Sequence, residues 1–124
     1  MAYIFVIVGG GIGALLRYLS IQLFNTFPIK YALGTLFVNC AGALLIGFLT
    51  SIFLAISLDV KWKLFLTTGF LGGYTTFSTY ALETVLYFID GNIKHAVLNI
   101  ALNNVLCLLF VLLGMFLGKV LITK

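Results

Sequence analysis

The chain has 124 residues, of which 63% are hydrophobic and 8% charged, with a mean hydropathy of +1.24 and a formal net charge of +4. A soluble domain carries about a quarter charged residues, so too little polar material is present here to coat a water-facing globule. The positive balance does not point to nucleic acid either, because no basic cluster occurs and the cations punctuate the ends of apolar runs.

Uncharged stretches run over 1–16, 18–29, 31–58, 64–82 and 95–118, taking His95 as neutral. A spanning helix needs about 20 apolar residues rising about 1.5 Å each. The sequence therefore predicts an all-α membrane protein, one domain over 1–124 with four transmembrane helices at roughly 2–25, 31–57, 63–89 and 95–122. Short connections carry turn chemistry: Pro28 and Lys30, then Asp59 to Lys63, then Asp90-Gly91-Asn92 before Lys94.

The first helix opens without the positive region of a signal peptide and is read as part of the mature chain. Gly9, Gly11 and Ala14 fit the G-x-G-x-x-A dinucleotide pattern. That pattern needs an acidic residue about 20 positions on to hold a ribose, and the first acid here is Asp59. The cofactor reading fails. Gly9, Gly10, Gly13 and Ala14 are instead small residues at spacings of three and four, which let membrane helices approach closely. Farther along, Arg17 has two readings: an anchor snorkelling to an interface, or a fixed vestibule charge that concentrates anions.

Polar groups in hydrocarbon must be buried in protein, paired or facing water. The second helix offers Asn39, after Gly34-Thr35 and before Gly42, with no single role dictated by its position. Cys40 and Cys107 lack metal-ligand spacing and read as small packing residues of the second and fourth helices. The third helix holds GGYTTFSTY over 72–80, two glycines followed by Thr75, Thr76, Ser78 and Thr79. Glycine lowers helix propensity by about 1 kcal/mol, and β-hydroxyls can recapture freed backbone groups, so the helix is expected to break there, mid-membrane. Phe77 and Tyr80 share one face of the second half, for which aromatic packing is the plainer reading. Glu83 follows, able either to pair with Arg17 or to reach an interface. On the fourth helix, His95, Asn99 and Asn103 recur every four residues and form a stripe, with Asn104 beside it. A stripe of this kind reads equally as interhelical glue or as a wet pathway. Lys61, Lys63, Lys119 and Lys124 fall on one side of the membrane and Lys30 and Lys94 on the other, a weak orientation bias that permits insertion both ways.

The segments GGGIGALLRY, GTLFVNCAGALLIG and GFLGGYTTFSTYALE, in that order over four short spans, resemble the Fluc (CrcB) fluoride channel family along essentially the whole chain. The resemblance implies a passive, fluoride-selective channel of a prokaryotic cell membrane, which expels fluoride trapped as the anion. It implies an antiparallel, dual-topology dimer of this chain with itself or with a related subunit, and two pores along the interface. It also implies a central sodium ion held by backbone carbonyls at the helix-3 break, which fall on Gly72 and Thr75. The family's aromatic box falls on Phe77 and Tyr80, its helix-2 asparagine on Asn39, its vestibule arginine on Arg17 and its pore-side hydroxyl on Ser78. Thr79 lies in the same motif, and the helix-4 polar track is matched to Asn99 and Asn103. Tyr80 departs from the family's usual phenylalanine and adds a hydroxyl to the pathway.

Fluoride is small and tightly hydrated, so a pore must replace its water with strong donors. Amide hydrogens of Asn39 and the hydroxyls of Ser78 and Thr79 have that chemistry, and aromatic edges carry partial positive charge. A proton-coupled drug exporter needs an intramembrane acid, for which only the late Glu83 is available. A purely structural helper subunit would not need a hydroxyl-rich break. An enzyme fits least, with one histidine and no nucleophile–base pair.

Overall fold

The computed structural model describes residues 1–27 and 31–123. The expected turn at Pro28 and Lys30 and the charge of Lys124 lie outside the described residues. The elements are α1 (Ala2–Asn25), α2 (Leu33–Ala55), α3 (Val60–Leu64), a π-helical stretch (Phe65–Leu71), α4 (Gly72–Tyr74), α5 (Phe77–Ile89) and α6 (Ile93–Ile122). Three of them, α1, α2 and α6, are single helices long and apolar enough to cross a membrane. The segment 60–89 covers a comparable length in pieces.

Asp59 starts α3 as its N-cap, accepting the Lys61 N–H at 3.0 Å and pairing with the Lys61 ammonium at 3.2 Å. The Lys61 backbone N–H, more than its ammonium, holds the exposed Asp59 carboxyl below the usual carboxylate range. Gly91, with φ of 71°, makes the tight turn between α5 and α6 that only glycine enters without strain.

Two helix pairs carry the packing. In the first, α1 lies along the π-helical stretch and α4. A Cβ on Gly9 would meet the Phe65 carbonyl oxygen, and one on Gly13 would meet that of Phe70. From the other side, a Cβ on Gly73 would meet the Gly10 carbonyl oxygen. The residue numbers rise together along the seam, so these segments run parallel. In the second pair, α2 and α6 are also parallel: Gly47 faces Val111, Asn39 faces Asn103, and Ser51 Oγ donates to the Met115 carbonyl at 3.0 Å. Gly114 lies against the Leu44 carbonyl from the opposite helix. Small residues thus bring backbones together where the surroundings offer no hydrophobic drive between helices.

The outside is correspondingly apolar. Leu54 is 81% exposed and Leu108 68%, whereas Asn99 is fully buried at 0%. Polar groups lie inside and leucines outside, the reverse of a water-soluble bundle and the arrangement lipid demands.

Gly13→Val should destabilise the protein by about 1–3 kcal/mol through overpacking, because its side chain would collide with a backbone oxygen rather than a movable side chain. Gly11→Ala, two positions away with nothing within 4 Å of the new methyl, should leave stability unchanged or raised. Thermal unfolding of both variants in detergent checks the contrast.

Candidate anion site at the helix interruption

Helical hydrogen bonding stops between α4 and α5. Thr75 has ψ of 159° and Thr76 has φ of −150°, both extended. The unwinding does not start at the glycines, as their flexibility suggested. Gly72 and Gly73 are themselves helical, and Gly73 serves the close approach to α1. The chain opens two residues later, at the threonines.

Side chains take over the backbone groups released there. Asn39 Oδ1 accepts the Thr76 N–H at 2.8 Å, and Asn39 Nδ2 donates to the Thr76 carbonyl at 3.2 Å. One amide side chain therefore pairs with both polar groups of one residue, as a neighbouring strand would. Thr76 in turn caps α5: its hydroxyl oxygen accepts the Thr79 N–H at 3.2 Å and donates to Thr79 Oγ1 at 2.9 Å. Thr75 closes the other end, with its N–H and its hydroxyl both directed to the Leu71 carbonyl.

Asn39 passes its second amide hydrogen to Asn103 Oδ1 at 3.1 Å. Asn103 donates to Asn99 Oδ1 at 3.0 Å, and Asn99 donates to Thr84 Oγ1 at 2.9 Å. Thr84 donates to the Tyr80 carbonyl at 2.8 Å, and Tyr31 reaches Asn99 Oδ1 at 3.4 Å. The result is a continuous buried ladder from the interruption towards the α5–α6 turn. His95, the third member of the stripe, is not in this ladder. Its Nδ1 lies 2.6 Å from Asn92 Oδ1, and its ring stands beside those of Tyr31 and Tyr87.

The two membrane charges do not pair with each other. Arg17 Nη1 donates to the Thr75 carbonyl at 3.2 Å, tying α1 to the interruption. Glu83 Oε1 accepts the Thr35 hydroxyl at 2.7 Å, and its Oε2 is buried without a partner. Neither the snorkelling role for Arg17 nor the Arg17–Glu83 pair matches these contacts.

The interruption opens on a groove of about 540 Å³ whose wall includes Asn39, Thr75, Thr76, Phe77, Tyr80 and Asn103. Phe77 is 77% exposed at its rim, whereas Tyr80 is 9% exposed, and the rings meet edge to face with centroids 5.2 Å apart. Tyr80 Oη accepts Asn104 Nδ2 at 3.1 Å, which leaves its own hydrogen free to donate. Ser78 is exposed, with Thr76 Oγ1 at 3.4 Å, and Thr79 Oγ1, half-buried, accepts from Thr76. Among the groove-lining hydroxyls, Thr75 and Thr76 donate within the chain and Tyr80 keeps its hydrogen, while the amide hydrogens of Asn39 and Asn103 are already bonded.

The same wiring deprives several backbone oxygens of their usual helical partners, those of Gly72 and Thr75 among them. The Gly72 carbonyl would meet the Thr76 N–H four residues on, but Asn39 holds that N–H. The Thr75 carbonyl would meet the Thr79 N–H, which Thr76 holds. Carbonyl oxygens suit a hard cation, so the residues fit a sodium ion. The Thr75 carbonyl already receives the Arg17 guanidinium.

The CrcB-like protein family, described as "CrcB-like protein, Camphor Resistance (CrcB)", matches residues 4–115. The chain belongs to the CrcB family. It is 48% identical to the fluoride-specific ion channel FluC of Hydrogenobaculum sp. (strain Y04AAS1), over 98% of this chain and all of that one. It is 47% identical to the fluoride-specific ion channel FluC of Campylobacter jejuni subsp. jejuni serotype O:23/36 (strain 81-176), over 90% of this chain and 92% of that one. The corresponding protein of Parabacteroides distasonis is 42% identical over 94% of this chain and 92% of its own length.

In this CrcB chain, Thr76 and Asn104, which the sequence offers only as one hydroxyl of a cluster and as a neighbour of the stripe, make specific contacts. Thr76 carried a signal, since a threonine three residues before Thr79 is an N-cap pattern. Asn104 had none, because its value depends on the Tyr80 hydroxyl lying across the bundle.

Asn39→Ala would strand the Thr76 N–H, at about 1–3 kcal/mol for a buried group left unsatisfied. A lowered unfolding midpoint is expected, well beyond that of Asn104→Ala, where an exposed residue is lost. An unchanged midpoint for Asn39→Ala would remove its structural role.

Proposed function

We propose that this protein is a fluoride-selective, passive ion channel of a prokaryotic cell membrane, exporting cytoplasmic fluoride. The observation that carries the reading is the groove at the helix interruption, lined by the Tyr80 hydroxyl and by the Phe77–Tyr80 aromatic pair, in a chain similar along nearly its whole length to fluoride-specific channels. The chain forms one four-helix transmembrane unit whose third span is interrupted mid-membrane.

On this reading two copies, or this chain and a related subunit, pack antiparallel and close the open groove, giving two pores per dimer. The exposed apolar rim around Phe77 supports burial against such a partner. The Gly72 and Thr75 carbonyls of both copies would hold a sodium ion, whose charge adds to an anion-attracting potential near the interface. Arg17 contributes a fixed positive charge beside the same interruption.

Selectivity follows from the free donors. Hydroxyl hydrogens replace part of fluoride's water, and the positive edges of Phe77 and Tyr80 add attraction without a countercharge that would trap the ion. Asn39, Asn99 and Asn103 enter this scheme chiefly as the frame that aims those groups, since their amide hydrogens bond within the chain. A narrow path so lined rejects chloride by size.

Liposomes carrying the purified protein should release fluoride rapidly and chloride not at all, read by parallel ion-selective electrodes. Phe77→Ile should abolish fluoride release while leaving the dimer intact by size-exclusion chromatography. Release of both anions, or wild-type fluoride flux in Phe77→Ile, would contradict the scheme.

A further inference from the structure

The two cysteines sit opposite one another. Cys40 on α2 is buried and Cys107 on α6 is half-buried, and both are free thiols. The register of α2 against α6 sets the two residues face to face across the seam. The seam between the helices explains why. Ser51 on α2 packs against Gly118 on α6 at the same sequence separation that divides Cys40 from Cys107. Ser51 lies about three turns from Cys40, on the same helical face. Gly47 and Gly114, between these points, hold the two backbones in contact. Cys107 also lines the groove, together with Asn39, Thr76 and Asn103.

We propose that Cys40 and Cys107 form a two-thiolate site for a single soft divalent cation of the mercuric class, whose occupancy blocks the neighbouring path. Sulfur ligands select soft ions. No group of three or more His, Cys, Asp or Glu side chains able to hold a metal occurs among the described residues, so coordination stops at two thiolates. That number is too small for zinc, which takes four ligands in structural sites, and it suits the linear preference of mercuric ion. Charge decides the valence. One divalent ion displaces one proton from each thiol, and two new sulfur–metal bonds give a neutral complex. A monovalent soft ion on two thiolates would leave a net negative charge in an apolar seam, which is costly. Cys40 adjoins Asn39, and Cys107 lies one turn beyond Asn103, so bridging them pulls on the two residues that hold the interruption in place. The blocking half of the proposal rests on the channel reading; the binding half does not.

Mercuric chloride titrated into purified protein, followed by sulfur-to-mercury charge-transfer absorbance and by counting residual thiols, tests the site. The expected result is saturation at one ion per chain with both thiols lost together. Cys40→Ala and Cys107→Ala should each bind about tenfold more weakly or worse. Two ions per chain, or undiminished affinity in a folded single variant, would overturn the site. The wild-type stoichiometry decides this even if Cys40→Ala fails to fold. Fluoride efflux from liposomes before metal is added tests the channel reading by itself. Efflux that is present and then stops at one bound ion supports the block, and efflux that continues refutes it.

Discussion

Every part of this structure answers to the demand that backbone polar groups in an apolar medium have partners. Between Tyr74 and Phe77 the segment 60–89 gives up its own helical ladder. An unsatisfied N–H or C=O in hydrocarbon costs several kcal/mol, so the interruption persists only because other groups take over. Asn39 supplies a donor and an acceptor to Thr76, the Thr76 hydroxyl caps α5, and Arg17 reaches the Thr75 carbonyl from α1. Three helices therefore converge on two residues. The Asn103–Asn99–Thr84 ladder then fixes Asn39, since an amide with both hydrogens and its oxygen bonded has little freedom to turn.

That convergence depends on how close the helices come. Asn39 has a short side chain, and it meets Thr76 only where α2 lies tight against the third span. Gly42, one turn from Asn39, faces the Thr75 methyl, so no side chain intervenes. On the other side Gly9, Gly13 and Gly73 draw α1 in until Arg17 touches the interruption. The glycines and the polar ladder are one device: the first sets the distance that the second needs. A Cβ added at Gly13 therefore acts on the site through spacing, not only through its own clash.

Much of this was legible in the sequence, and the limits follow from what a sequence encodes. Uncharged run lengths located the long helices, and small residues at spacings of three and four marked Gly9 and Gly13 as contact points, because both are one-dimensional patterns. The threonine cluster after Gly72-Gly73 announced a local conflict with helix, yet the glycines drew attention from the residues that actually unwind. A glycine between two helices and a glycine at a hinge look the same until the neighbour is known, and here Gly73 has Gly10 across from it. Arg17, Glu83 and Asn39 were recognisable as residues that must have partners. Their partners, Thr75, Thr35 and Thr76, lie 58, 48 and 37 residues away along the chain, and nothing local encodes those pairings.

The division of labour among polar groups bears directly on anion transport. A path lined by amide hydrogens of free asparagines would bind a small anion tightly and also collapse upon itself when the anion left, because those amides would find one another. In this chain the asparagines have already done so. Their mutual bonds hold them in the wall, and the groups left to face the groove are the Tyr80 hydroxyl, which rotates about one bond, and the rings of Phe77 and Tyr80. Such donors hold an ion less firmly and need little rearrangement to release it. Conduction requires binding strong enough for entry and weak enough for exit, and under the proposed function spent amides behind a mobile hydroxyl would serve both. Tyr80 stands at the junction of the two sets, its oxygen accepting from Asn104 and its hydrogen free towards the groove, one turn from the interruption that placed it there.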